Sequence, residues 1–143
     1  MENTSAYSNR IKDGVKKKVV LVGGYLPGIY PPGQDDVAST LLSVGFLKSV
    51  ADADPEIAAQ YDIEIVDAPT TIPPSEIAVR ICAMKPDILA YSCYMWNYEQ
   101  VTGTLKAVKR EFPDVKVIWG GPLVTYTPED MLRENPDVDV IVC

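Results

Sequence analysis

No histidine occurs anywhere in the 143 residues. Its absence removes the commonest general base and metal ligand, and with it Ser-His-Asp and Cys-His catalysis within this chain. Cysteine is scarce, and Cys82, Cys93 and Cys143 share no Cys-x-x-Cys spacing. Neither a disulfide framework nor a zinc or iron–sulfur site is indicated, and a reducing cytoplasm is the expected location. Positive charge is thin. Thirteen Lys and Arg stand against twenty Asp and Glu, a net charge of −7, which argues against a general nucleic-acid binder. Lys16-Lys17-Lys18 is the only basic run and reads as a solubilising strand entrance. The apolar runs are strand-sized, far short of the ~20 residues needed to span a bilayer. Met1 to Asp13 is polar and has no apolar core of a secretory signal. Residues 1–15 are expected to be a disordered tail and 16–143 a single domain.

What is present is a regular alternation. Five runs rich in apolar and β-branched residues read as strands: Lys18 to Gly23, Asp62 to Asp67, Asp87 to Ser92, Val115 to Gly120 and Asp137 to Cys143. Val19 to Val22 and Ile88 to Ala90 are nearly continuous apolar runs, as parallel strands covered on both faces require. Between the runs, Val37, Leu41 and Val44, then Ile77, Ile81 and Met84, then Val101, Leu105 and Val108 fall at i, i+4 and i+7, one stripe of an amphipathic helix each. Thr127-Pro128-Glu129-Asp130 predicts a helix start with a capping hydroxyl, and Pro73-Pro74-Ser75-Glu76 a weaker one. Strict β-α alternation predicts a doubly wound, five-stranded parallel α/β sheet, Rossmann-like and of the flavodoxin-like order 2-1-3-4-5. Two features depart from a free-standing domain of that type: the closing helix after the fifth strand is missing, and the first helix, Asp35 to Ala51, carries only Lys48 as a charge beyond its first turn. Such a helix needs burial beyond its own sheet, so the domain is expected to be excised from, or to dock on, a larger body.

In such folds ligands bind at the carboxyl ends of the strands. Here one end breaks into Ser92-Cys93-Tyr94-Met95-Trp96-Asn97 and its neighbour into Gly120-Gly121-Pro122. Large apolar residues at a strand tip and a Gly-Gly pair that lets backbone approach closely suit a broad, flat, mostly apolar ligand. The loop after the first strand, Gly24 to Gln34, is long, stiffened by prolines and walled by tyrosines. Its glycines do not open directly into a helix, so they make no dinucleotide fingerprint. Asp35 and Asp36 lack the acidic partners a magnesium-bound phosphoacceptor site needs; Asp35 fits the N-cap or first turn of the first helix. Cys93 is expected to pack or line a site rather than react, and Cys82 to belong to a helix core. The Tyr94, Met95, Trp96 and Tyr98 cluster fits a protein interface as well as a small-molecule floor. A cofactor-free flavodoxin-like interaction module therefore stays open, and a flavin site fits less well for want of a hydroxyl-rich phosphate loop.

Ser92 to Asn97, the amphipathic helix that follows, and Ile118-Trp119-Gly120-Gly121-Pro122 resemble the N-terminal cobalamin-binding domain of cobalamin-dependent radical SAM enzymes. The likeness runs from about Lys18 to Cys143 and is strongest from Pro86 onward. It implies a serine ending the third strand and a Gly-Gly pair ending the fourth, together flanking the buried nucleotide tail of cobalamin. It also implies cofactor contacts from Tyr25, Leu26, Pro27, Gly28, Ser92, Cys93, Tyr94, Met95, Trp96, Asn97, Gly120, Gly121, Pro122, Val124 and Tyr126. Methionine-synthase-type domains carry Asp-x-His-x-x-Gly after the first strand; this chain has Gly23-Gly24-Tyr25-Leu26-Pro27-Gly28. The resemblance thus implies the histidine-free subgroup, with base-off cobalamin whose cobalt takes no imidazole from the protein and whose lower face meets Tyr25, Tyr94, Met95, Trp96 or a water. S-adenosylmethionine and an iron–sulfur cluster are implied only for a downstream radical SAM domain, because Cys-x-x-x-Cys-x-x-Cys is absent here. The domain alone would bind the corrinoid and catalyse nothing, its parent being a methyltransferase.

Overall fold

A computed structural model describes residues 14–28 and 41–143. Its elements are β1 (Lys17–Tyr25), α1 (Leu42–Ala53), α2 (Pro55–Gln60), β2 (Tyr61–Pro69), α3 (Pro74–Ala83), β3 (Ile88–Ser92), α4 (Tyr98–Glu111), β4 (Lys116–Gly120), α5 (Pro122–Thr125), α6 (Pro128–Glu134) and β5 (Val140–Val142). The strands form one all-parallel sheet in the order β2-β1-β3-β4-β5. The expected doubly wound, flavodoxin-like topology is therefore the one found, and no described helix follows β5. The tail to Asp13, the loop beyond Gly28 and the expected helix start at Asp35, with Asp36 and Val37, lie outside the described residues.

Residues of alternate parity point to opposite faces of a strand, and here the two faces differ sharply. Val20 and Val22 of β1, Leu89 and Tyr91 of β3, and Val117 and Trp119 of β4 are buried on one face. They meet Ile77 and Ile81 of α3 and Val101, Leu105 and Val108 of α4 in a continuous apolar core, the stripes expected from helical spacing. Burying side chains of this size contributes roughly 1.5–3 kcal/mol each, so this face carries most of the stability. The opposite face is covered unevenly. α1 packs on β1 and β2, where Leu41 and Val44 press on Gly23; a Cβ there would meet them at 2.9–3.0 Å.

Several local details depart from the sequence reading. Thr127 sits at the N-cap of α6 but its hydroxyl makes no capping hydrogen bond; proline in the first turn removes one of the amide donors that need a cap. Two short helices were not anticipated. In α2, Asp54 accepts from the amides of Glu56 (2.8 Å) and Ile57 (3.2 Å), and in α5 Pro122 opens a single turn directly after β4. The amino-terminal ends of the strands are held by carboxylates. The Lys18 amide donates to Asp87 at 2.8 Å and the Val117 amide to Asp139 at 2.9 Å, while the Lys18 ammonium pairs with Asp62 and Glu64.

Candidate functional site

Among the described residues α1 packs on β1 and β2, and the sheet face beyond β1 forms a cleft of about 400 Å³. Its floor follows from parallel register. Leu21, Ala90 and Ile118 lie side by side across three strands, and Ser92, Gly120 and Val142 make the next row toward the tips. One wall is the inner side of α1, with Ser43, Val44 and Leu47; the other is formed by Gly121 and Thr125 beside the end of β5. Among the described residues no charged side chain lines the cleft. Its polar side chains include the hydroxyls of Ser43, Ser92 and Thr125, and Ser43 Oγ reaches Ser92 Oγ at 3.5 Å across it. Such a site holds an apolar, uncharged group by area and orients it through a few hydroxyls and backbone groups.

The rim is built by two stitched loops. The Cys93 amide donates to the Gly120 carbonyl at 2.7 Å, and the Leu123 amide to the Cys93 carbonyl at 3.2 Å. Gly121 has φ +103°, and a Cβ there would stand 2.7 Å from the Cys93 carbonyl oxygen. Only glycine lets the β4 tip lie this close to the β3 tip. Beyond Cys93 the Tyr94 and Trp96 rings stack with centroids 4.3 Å apart and planes 18° from parallel. Tyr94 lines the cleft, whereas Met95 is 83% exposed and Trp96 47%. Tyr126, on the far side, is also exposed. Large apolar groups thus crown the strand tips with nothing described above them.

Of the residues singled out in the sequence, Ser92, Tyr94, Gly120 and Gly121 border the cleft itself. Tyr25 and Leu26 are half-buried at the tip of β1, and Pro27, Gly28 and Pro122 are exposed. Cys93, Asn97 and Val124 are buried in the protein, so direct side-chain contact with a ligand does not fit their placement. Burial pushes the Cys93 thiol up to about 12 against the pull of the Gly120 backbone contact, which makes it a packing group. Leu21, Ser43, Ala90, Ile118, Thr125 and Val142 line the cleft and were missed. The strand members could have been found by parity, since they lie out of phase with the core residues; Ser43 could not, because its place depends on how α1 crosses the sheet.

Among the described residues no cluster of three or more Cys, Asp or Glu could hold a metal ion, and no helix is long and apolar enough to cross a membrane. Residues 47–143 match the model of the B12 binding domain family. The chain is 36% identical over 115 residues to a cobalamin-dependent radical SAM methyltransferase, TokK, of Streptomyces tokunonensis, covering 79% of this chain and 16% of that protein. It is 36% identical over 118 residues to 2-(S-pantetheinyl)-carbapenam-3-carboxylate methyltransferase of Streptantibioticus cattleyicolor, covering 80% of this chain and 16% of that one. These relatives are therefore several times longer than the matched region. A cobalamin-binding protein from Desulfitobacterium hafniense shares the fold, with TM-score 0.55 and 19% identity over 96% of this chain and 58% of its own. An apolar cleft on one sheet face, rimmed by Ser92 and Gly120-Gly121, is thus set in a chain that belongs to the B12-binding domain family, whose cofactor is cobalamin.

Proposed function

We propose that this chain holds cobalamin base-off, with the nucleotide tail in the cleft and the corrin above the strand tips, as the cofactor-binding part of a radical SAM methyltransferase. The observation that carries the reading is the uncharged cleft of about 400 Å³ on the half-covered sheet face. Its fit is chemical: Leu21, Ala90, Ile118 and Val142 offer an apolar floor for an aromatic base, and Ser43, Ser92 and Thr125 offer hydroxyls to ring nitrogen and ribose. Gly120 and Gly121 bring backbone close to the tail without side chains in the way. When bound, the corrinoid supplies a cobalt centre able to accept and hand on a one-carbon group.

What the chain contributes is position and dryness. With no histidine present, no imidazole of this chain can ligate the metal. The stacked Tyr94–Trp96 pair, with Met95 beside it, excludes water from the face above the tips, with Tyr25 and Leu26 as the neighbouring wall. Cys93, Asn97, Pro122 and Val124 hold those loops from behind, while Pro27, Gly28 and Tyr126 sit at the outer edge. S-adenosylmethionine and the iron–sulfur cluster belong to a further domain of the kind carried by the longer relatives, and the substrate is set there. The purified chain, mixed with hydroxocobalamin and desalted, should retain the corrinoid's visible absorption. Ala90→Phe, which fills the floor, should abolish retention while leaving the fold intact. Wild-type protein that emerges colourless overturns the reading.

A second reading has its own observation. Leu42, Phe46 and Val50 of α1 are all more than half exposed, a patch typical of docking surfaces. It is compatible with cofactor binding, and with the exposed Met95 and Trp96 of the Tyr94 to Tyr98 cluster it would support the interaction-module reading if no corrinoid were retained.

A further inference from the structure

Asn97 is 1% exposed, and neither end of its amide faces solvent or the cleft. Its Oδ1 accepts from the Tyr94 amide at 2.8 Å, and its Nδ2 donates to the Ser92 carbonyl at 2.9 Å. One side chain thus closes both ends of the loop that leaves β3. It does so from the core side of the sheet, opposite the cleft. Gly24 of β1 sits directly behind it, so close that a Cβ there would lie 2.7 Å from Nδ2. The Asn97 carbonyl meanwhile accepts from the Val101 amide at 2.8 Å, the first turn of α4. Asn97 makes no side-chain cap on its own helix; its amide is spent on the loop instead.

We infer that Asn97 is a positioning residue: by clamping Ser92 to Tyr94 it fixes where the Tyr94–Trp96 pair stands over the cleft. This rests on the cofactor reading for its purpose but not for its geometry. Four residues between Ser92 and Asn97 carry what the β3 tip presents: Cys93, stitched to Gly120, Tyr94 and Trp96, stacked on each other, and the exposed Met95. A five- to six-residue crossing without such a tie would have to satisfy the Ser92 carbonyl and the Tyr94 amide with water, and the ring pair would sample many positions. Asparagine is the fitting residue because it alone among short side chains offers an acceptor and a donor on one rigid plane. Glycine at position 24 is the necessary complement, since any larger residue pushes the amide off the Ser92 carbonyl.

The two partners give two independent perturbations. Asn97→Ala removes the clamp, and Gly24→Ala displaces it from another strand without touching the loop. In each variant of the full chain the Tyr94 amide should exchange about tenfold faster or more, the equivalent of one lost net hydrogen bond, while the Leu89 and Val117 amides stay within about twofold of wild type, marking a local opening. The near-ultraviolet circular dichroism of the stacked pair should weaken in both. With hydroxocobalamin bound, the visible bands should shift relative to wild type at saturation. Unchanged Tyr94 exchange in both variants, or equal acceleration at Leu89 and Val117, overturns the positioning role. If wild type retains no corrinoid, the cofactor reading fails, and the exchange comparison still decides the clamp.

Discussion

Ser43 on α1 and Ser92 at the tip of β3 face each other across the cleft, hydroxyl to hydroxyl at 3.5 Å. They join the helix that packs on β1 and β2 to the tip of β3. A contact this long and exposed contributes little by itself, and its interest lies in what the hydroxyls do when something enters.

Replacing either serine by alanine should therefore separate stability from binding. Ser43→Ala and Ser92→Ala are each expected to change the free energy of unfolding by less than about 0.5 kcal/mol, as surface substitutions do. Corrinoid affinity should fall about five- to tenfold, the value of one net hydrogen bond. Urea denaturation and an absorbance titration check the two halves. Equal affinity in both variants would remove the hydroxyls from the ligand's contacts.

Gly121→Ala should be costly. The position has φ +103° and ψ 174°, a region nearly closed to residues with a Cβ and worth about 1–3 kcal/mol in strain alone. The new methyl would also press on the Cys93 carbonyl. A loss of about 3 kcal/mol or more in chemical denaturation is expected, with the β3 and β4 tips loosening first in hydrogen exchange.

Alkaline conditions should destabilise the fold through its buried thiols. Burial raises Cys93 to about 12, and burial with the Glu111 carboxylate beside it raises Cys82 to about 11. Between an unfolded thiol's value near 9 and these folded values, the unfolded chain binds fewer protons than the native one, so stability falls as pH rises. Each fully titrating thiol adds a slope of up to about 1.4 kcal/mol per pH unit. Thermal unfolding followed from pH 8 to 10.5 should decline steeply, and Cys93→Ala should flatten the decline. Exposed Cys143 should react with a thiol reagent in the native protein, while Cys82 and Cys93 should not.

Tyr91 gives a test of the core. Its hydroxyl is buried and has no hydrogen-bond partner among the described residues, beside a small cavity that Asn97, Gln100 and Thr104 also line. Removing a buried polar atom that lacks a partner is close to neutral or stabilising. Tyr91→Phe should stay within about 1 kcal/mol of wild type in urea denaturation. A larger loss would show that the hydroxyl is satisfied through solvent in that cavity.

Much of the frame was legible because it rests on local periodicity. The stripes Ile77, Ile81 and Val101, Leu105, Val108 had to find a sheet to bury against, and continuous apolar runs such as Val19 to Val22 had to be interior strands. Two of the rim features, Ser92 and Gly120-Gly121, were also visible, since unusual residues at strand tips are local facts. Asn97 read as one more ligand contact, because nothing in the order of residues says that its amide turns inward. Thr127 read as a cap because hydroxyls usually are, yet proline after it left little to cap.

The sequence by itself determined the class of fold, the lack of histidine and the unusual residues at two strand tips, since each depends on residue type and spacing alone. Only the tertiary structure decided that α1 lies over β1 and β2, that Ala90, Ile118 and Val142 line a cleft among the described residues, and that Asn97 reaches Gly24 rather than solvent. Those outcomes depend on how elements far apart in the chain cross and pack. Among the described residues the cleft forms where α1, packed on β1 and β2, leaves the neighbouring strands to other cover, and that is a property of the assembled sheet rather than of any segment in it.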